Sequence, residues 1–354
     1  MASRAGHRYR AGPSMPTDTL MTSESPATPS GGRHAAIPAH FLNVATCRGT
    51  GRGPERGENL IRVGTKIGGR FIVDGILGDG MSGETYSARD LDLERPVAVK
   101  MQGSRTFENT TWYSQSAADI GNEFQRGLSL SGLRGIPEFY TSGTHAGRSY
   151  VVMQLIDGVT LEGLMRQCRP AGRETVTAVI CQLCEILEPV HERRIVHRDI
   201  KLENVMVEPE GAVWLLDFGT AVPADEEIED PTGTAGYAPP EQYEGQPLTT
   251  RADIYALGAL LFRMSVMLPP YAESGGRPDR RVEPFDPDRL TTIDPRLRAV
   301  GLSMISWDPA DRPATVREVR EALHPLLPAA GSPPNPKAPR PDPARWYRER
   351  APIS

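Results

Sequence analysis

Between two apolar runs, the stretch IVHRDIKLENVMV gathers His197, Arg198, Asp199, Lys201 and Asn204. Asp199 and Asn204 stand five apart in what reads as a loop, where polar groups can converge on one point. Thirteen residues after Asn204, LLDFGT places Asp217 at the end of an apolar run that reads as a strand. An amide oxygen and a carboxylate are the donors a hard cation such as Mg²⁺ takes, with phosphate oxygens completing the shell. A solvated charged loop is the bland alternative, and the combination of the two stretches disfavours it.

Upstream, LGDGMSGETY sets Gly78, Gly80 and Gly83 in a G-x-G-x-x-G spacing after a strand. Glycines let a backbone turn tightly and bring N–H groups close to phosphate oxygens. A plain hairpin turn gives the same string. A dinucleotide site needs a helix directly after the glycines, whereas ETYSARDLDLERPVAVK continues through a turn into another strand. On that strand VAVK flanks Lys100 with apolar residues, which suits either a buried, paired ammonium or an edge lysine reaching water.

These residues need elements to hold them. RFIVDGILGDG, RPVAVKMQ and RSYVVMQLI read as strands. TVTAVICQLCEILEPVHERR and ATVREVREALHPLL have helical apolar spacing, and ADIYALGALLFRMSV is apolar around most of its circumference, as a buried helix is. Strands precede helices, so two layers or lobes of different character follow. Residues 1–64 are rich in Gly, Pro, Ser, Thr and Arg and read as a disordered extension in which IPAHFLNVA is a candidate docking stretch. Residues 328–354 form a proline-rich tail, read as extended and solvated, with RWYRER as an alternative docking tag.

Bulk properties narrow the class. Of 354 residues, 38% are hydrophobic and 24% charged, and the net charge is −5, so nothing global points to nucleic acid or an anionic membrane. No run approaches the apolar length of a membrane helix, and the N-terminus lacks the apolar core of a secretory signal. Four cysteines make no disulfide framework. The expectation is a soluble, cytoplasmic protein without nucleic-acid or membrane partners.

The chain resembles the eukaryotic-type serine/threonine protein kinases of bacteria. GDGMSG, VAVK, HRDIKLEN, DFG and APPE occur in that family's order, with RADIYALG and DPADRP downstream. The resemblance covers roughly residues 66–327 and implies an α+β, bilobal protein-kinase-like fold over residues 65–327. A small β-rich N-lobe would span 65–153 and a larger helical C-lobe 157–327. It implies ATP and Mg²⁺, or Mn²⁺ in its place, between the lobes, and protein substrates with Ser/Thr acceptors. Autophosphorylation is part of the same expectation.

Residue by residue, the loop Leu77, Gly78, Asp79, Gly80, Met81, Ser82, Gly83, Glu84 and Thr85 would cover the nucleotide, with Leu77, Thr85 and Ala98 around adenine. Lys100 would bind the α- and β-phosphates, held by Glu123. Met153 would back the adenine pocket, and backbone groups of Gln154 and Ile156 would bond the base. Asp199 would be the catalytic base, Lys201 would neutralise the moving phosphoryl group, and Asn204 and Asp217 would hold the metal. Thr234 would brace Asp199 and Lys201, Glu241 would pair with Arg312, and Asp253 would anchor the catalytic loop. A pseudokinase scaffold is the first alternative, opposed by the intact Lys100, Asp199, Asn204 and Asp217. A small-molecule kinase is the second, opposed by the APPE platform. Cys181 and Cys184, a C-x-x-C on a helix without a second ligand pair, read as core.

The acidic run VPADEEIEDPTGT is where the family's common phosphothreonine would face an arginine like Arg198. Counting back three residues from Gly233 reaches Asp230 instead. Either Asp230, helped by Glu229 or Glu227, supplies a fixed charge to Arg198, or Thr232 is phosphorylated, or neither applies. Substrate identity, activating signal and oligomeric state leave no mark in the sequence.

Overall fold

In a computed structural model the described residues are 60–80, 83–103, 110–226 and 233–350, the side chains of 80 and 110–118 excepted. The N-terminal part is a sheet of β1 (Lys66–Ile67), β2 (Phe71–Gly80), β3 (Gly83–Asp90), β4 (Arg95–Met101), β5 (Phe139–His145) and β6 (Arg148–Gln154). Their spatial order is β1-β2-β3-β4-β6-β5, with every neighbouring pair antiparallel. Helix α1 (Thr110–Ser129) packs on β5 and β6.

Strand alternation decides which side chains reach the lobe junction. Val97, Val99 and Met101 of β4 enter a core with Phe71, Val73, Tyr86, Tyr150 and Val152. Ala98 and Lys100 therefore point to the other face, where Lys100 is registered with Thr85 and Val151, and Ala98 with Met153. Gly83 sits at φ +123°, and a Cβ there would lie 2.3 Å from the Met101 carbonyl oxygen. That glycine is required by backbone approach between β3 and β4, apart from any ligand.

The C-terminal part is helical. It begins with β7 (Val159–Thr160), α2 (Leu161–Met165) and α3 (Arg173–Glu192), then β8 (Ile195–Val196), β9 (Val205–Val207), β10 (Val213–Leu215) and β11 (Val222–Pro223). These short strands form a three-stranded sheet, β10-β9-β7, and a two-stranded one, β11-β8, which frame the loop carrying Asp199. Then follow α4 (Pro240–Tyr243), α5 (Arg251–Val266), α6 (Pro295–Met304), α7 (Val316–Leu323) and α8 (Arg345–Glu349). Buried α5 is nearly free of exposed positions, and the amphipathic α7 docks on α3. Thr315 caps α7 by accepting from the Glu318 N–H, and Glu318 reaches back to the Ala314 N–H. Cys181 and Cys184 are buried in the core on α3, where burial pushes the Cys181 thiol up to about 12.

The C-terminal segment departs from the solvated tail read from its composition. Up to residue 350 it lies on the C-lobe, held by Arg348, Tyr347 and Trp346. Its proline-rich backbone runs through turns and bends into the short α8, and its arginines and aromatics find partners distant in sequence. The residues 1–59, including IPAHFLNVA, lie outside the described set.

Candidate active site

The N-lobe contributes an ammonium. Lys100 is buried, with Nζ 2.8 Å from Glu123 Oε2 on α1 and 2.7 Å from Asp217 Oδ1. Burial alone would pull Lys100 down, but the two carboxylates outweigh it and raise it, so it stays charged. Burial pushes Glu123 up to about 7, against the pull of Lys100. Asp217 is half-buried, and desolvation would raise it, yet Lys100 and the Gly219 N–H hold it below the ordinary carboxylate range. Arg126 of α1 adds a second tie, donating to the Gly219 carbonyl at 2.6 Å. Helix α1 is thus fastened at two points to the segment that carries Asp217.

The C-lobe contributes the loop between β8 and β9. Asp199 Oδ1 accepts from Thr234 Oγ1 at 2.6 Å, and Oδ2 accepts from Lys201 Nζ at 2.6 Å and Asn204 Nδ2 at 2.8 Å. Lys201 also donates to Thr234 at 3.4 Å. Both Asp199 oxygens are therefore fixed in direction. Because the Asn204 Nδ2 faces Asp199, its Oδ1 points the other way.

The loop backbone is strained and compensated. Arg198 sits at φ 72° and Asp217 at φ 62°, a region costly to non-glycine residues. The buried Asp253 carboxylate on α5 accepts from the N–H groups of His197 and Arg198 at 2.9 and 3.0 Å, and contacts His191 Nε2 at 2.9 Å. Burial would raise Asp253, but the His191 contact and these N–H groups lower it overall. His197 closes the bracket. It accepts the Asp199 N–H at Nδ1 (3.3 Å), which leaves Nε2 to donate to the Leu216 carbonyl (3.0 Å), and it stands edge-on to Phe218 with ring centroids 4.6 Å apart. The sequence motif contains His197 but says nothing of this link to the Asp217 segment. The signal was its position between apolar runs.

Glu241 and Arg312 form a bidentate pair at 2.6 and 2.8 Å, with Arg312 also donating to the carbonyls of Arg251, Ser306 and Trp307.

The glycine-loop set is brought together in part. Thr85, Ala98, Lys100 and Met153 share one face, Ile156 is buried and Leu77 is half-buried. Gly78 and Asp79 are exposed at the end of β2, with Gly80 opposite Gly83. Glu84 must be reassigned. Strand alternation turns its buried side chain to the opposite face, where it pairs with Arg148 and accepts from Tyr86 Oη at 2.7 Å. Its carboxylate belongs to the sheet core rather than to the nucleotide side. The Gln154 N–H donates to the Glu138 carbonyl at 2.8 Å, which takes that group out of the set available to adenine. Met153 packs against the cluster of Ile120, Phe139 and Val151, which joins α1 to β5 and β6. Met81, Ser82, Glu227, Glu229, Asp230 and Thr232 lie outside the described residues.

The donor chemistry fits a nucleotide with a divalent cation. Among the described residues, no group of three or more His, Cys, Asp or Glu could hold a metal alone. Two oxygens, from Asn204 and Asp217, suit a cation that shares its shell with phosphates.

A β-rich lobe meeting a helical lobe at this charged junction defines the bilobal kinase fold. The chain belongs to the protein kinase domain family, whose model matches residues 71–324. Serine/threonine-protein kinase PknB of Mycolicibacterium smegmatis is 30% identical over 270 residues, covering 72% of this chain and 42% of that protein. PknB of Mycobacterium tuberculosis is 31% identical over 268 residues, with the same coverage. Serine/threonine-protein kinase pkn3 of Myxococcus xanthus is 27% identical over 280 residues, 74% of this chain and 50% of its own length. The chain spans half or less of each of these relatives. Among the described residues, no helix is long and apolar enough to cross a membrane.

Proposed function

We propose that the chain is an ATP-dependent protein serine/threonine kinase, acting with Mg²⁺ in the cytoplasm and able to phosphorylate itself. The observation that carries this reading is the fixed Asp199 carboxylate, gripped at 2.6–2.8 Å by Thr234, Lys201 and Asn204. The similarity to bacterial serine/threonine-protein kinases supports the choice of substrate class.

ATP bound with a divalent cation supplies the transferable phosphoryl group, and the protein's task is positioning and charge neutralisation. Lys100, kept charged by Glu123, binds phosphate oxygens of the nucleotide. Asn204 Oδ1 and Asp217 hold the cation. Asp199 orients the acceptor hydroxyl and takes its proton as the oxygen bonds to phosphorus and the bond to the departing diphosphate breaks. Lys201 stabilises the charge on the group in flight. Thr234 holds the base and Lys201 in one plane of contact. The segment from Thr234 to Tyr243 receives the protein substrate, and the Glu241–Arg312 pair holds it in place.

The test is a comparison of acceptors. Labelled ATP is offered with a generic Ser/Thr-containing protein, and separately with small alcohols and aminoglycosides. Phosphoserine and phosphothreonine in the protein and in the chain itself are expected. Transfer to the small molecules alone, or to neither, contradicts the reading.

A further inference from the structure

The family match ends at residue 324, yet the chain beyond it is built into the C-lobe. Arg348 is buried and joins Glu174 of α3 (2.5 Å) to Asp342 (2.6 Å). Gln182, in the middle of α3, donates to the carbonyls of Pro343 (3.1 Å) and Gly211 (2.9 Å). Gly211 lies at φ +86°, and a Cβ there would stand 2.3 Å from the Asp342 carbonyl oxygen. The hairpin between β9 and β10 is thus shaped to receive this segment.

The far end of the segment reaches the other lobe's attachment. Two guanidinium groups stack on the Trp346 ring, Arg134 at 4.0 Å and Arg350 at 3.9 Å from its centroid. Tyr347 donates to Glu185 at 2.9 Å, and the same carboxylate pairs with Arg134 at 2.9 Å. Arg134 belongs to the connection from α1 to β5. Its neighbour Gly135 accepts the Leu215 N–H at 2.8 Å, and Leu215 ends β10, two residues before Asp217. Helix α1 carries Glu123. The connection that follows α1 therefore meets the end of β10 at Gly135, six residues past the last residue of α1, and Trp346 stacks on the residue beside it.

We propose that Trp346 is a positioning residue for the phosphoryl-transfer site. By stacking on Arg134 it fixes the connection that follows α1 against β10, and so the alignment of Glu123 and Asp217 on Lys100. The segment 328–350 is then a clasp in cis, and its release slackens the nucleotide side of the site. This rests on the kinase reading given above.

The test uses the full chain as wild type, Trp346→Ala and Trp346→Phe. Amide hydrogen exchange is read without nucleotide, and KM for ATP and kcat are read separately. Trp346→Ala should speed exchange about tenfold in 328–350 and in α1, a local opening rather than global unfolding. It should raise KM for ATP about fivefold with kcat changed less than about twofold, the pattern of lost binding rather than lost chemistry. Trp346→Phe keeps a ring on Arg134 and should return both readouts toward wild type. Faster exchange in 328–350 with α1 and KM unchanged overturns the proposal, as does unchanged exchange in both. If Trp346→Ala does not fold, Arg134→Gln must give the same pattern, and wild-type α1 exchange there overturns it. Exchange is independent of turnover. A wild type that transfers no phosphate refutes the kinase reading and leaves the α1 comparison to decide the clasp.

Discussion

Two buried ionic groups in this molecule are built to opposite ends. The Glu241–Arg312 pair is matched one to one, with both carboxylate oxygens met by guanidinium and the remaining guanidinium N–H groups met by three carbonyls. Its side chains are 5% and 0% exposed. The group at the lobe junction is unmatched: Lys100 faces two carboxylates, Glu123 Oε1 has no hydrogen-bond partner, and the Asp217 side chain is 23% exposed. A closed, neutral pair can only hold. An open cluster with an excess negative charge can exchange partners, and a cation with phosphates completes it. The contrast separates scaffold from working site more clearly than burial does, since Lys100 and Glu123 are as buried as Glu241 and Arg312.

The scaffold pair should give the largest effect on stability. Arg312→Ala leaves a buried carboxylate unpaired and should cost about 3–5 kcal/mol, read by urea unfolding. Replacing both partners with apolar residues of similar volume, as in Glu241→Leu with Arg312→Met, should recover most of that loss. If the double replacement is as unstable as the single one, the pair is more than a matched charge.

The open cluster should respond in function instead. Glu123→Gln should lower kcat/KM for ATP about tenfold, roughly 1.4 kcal/mol, with little loss of stability. The pH dependence gives the sign. Burial holds Glu123 up at about 7 in the fold against 4.5 in the unfolded chain. Its stabilising contribution is therefore complete below 4.5 and lost as pH rises through about 7. The stability of Glu123→Gln relative to wild type should consequently improve between pH 5 and pH 8. A flat difference would mean that Glu123 is as well paired as Glu241.

Asp253 runs the other way. Its carboxyl is lowered from 3.8 in the fold, so its contribution is complete above that value and lost as pH falls through the folded value. Asp253→Asn should flatten the acid limb of the stability curve. A smaller effect is expected in the acidic run: Asp230→Asn and Thr232→Ala, compared in activity with phosphosite mapping, decide which of the two serves Arg198. Loss of activity confined to Thr232→Ala excludes the fixed-charge role of Asp230.

Much of the site was legible in sequence because chemistry restricts both residue type and spacing. Asp199, Lys201 and Asn204 meet because a short loop between β8 and β9 leaves them little freedom. Lys100 reached the junction because alternation along VAVK puts its flanking valines in the core. Glu84 was misread because a glycine spacing carries no information on which face a side chain takes. Its partner, Arg148, is 64 residues away. The docked C-terminal segment showed only as the alternative docking tag RWYRER, for a related reason. Proline content describes its backbone, whereas its hold depends on Glu174, Gln182, Glu185 and Arg134, more than 160 residues upstream. Helix α8 has five residues, too few to show a period.

The most direct measurement is labelled phosphate transfer from ATP to a Ser/Thr-containing protein by wild type beside Asp199→Asn, with nucleotide binding checked in both. The account predicts phosphoserine or phosphothreonine from wild type and a rate about 10²–10⁴-fold lower from the variant at similar ATP affinity. Equal transfer by the two proteins would contradict it.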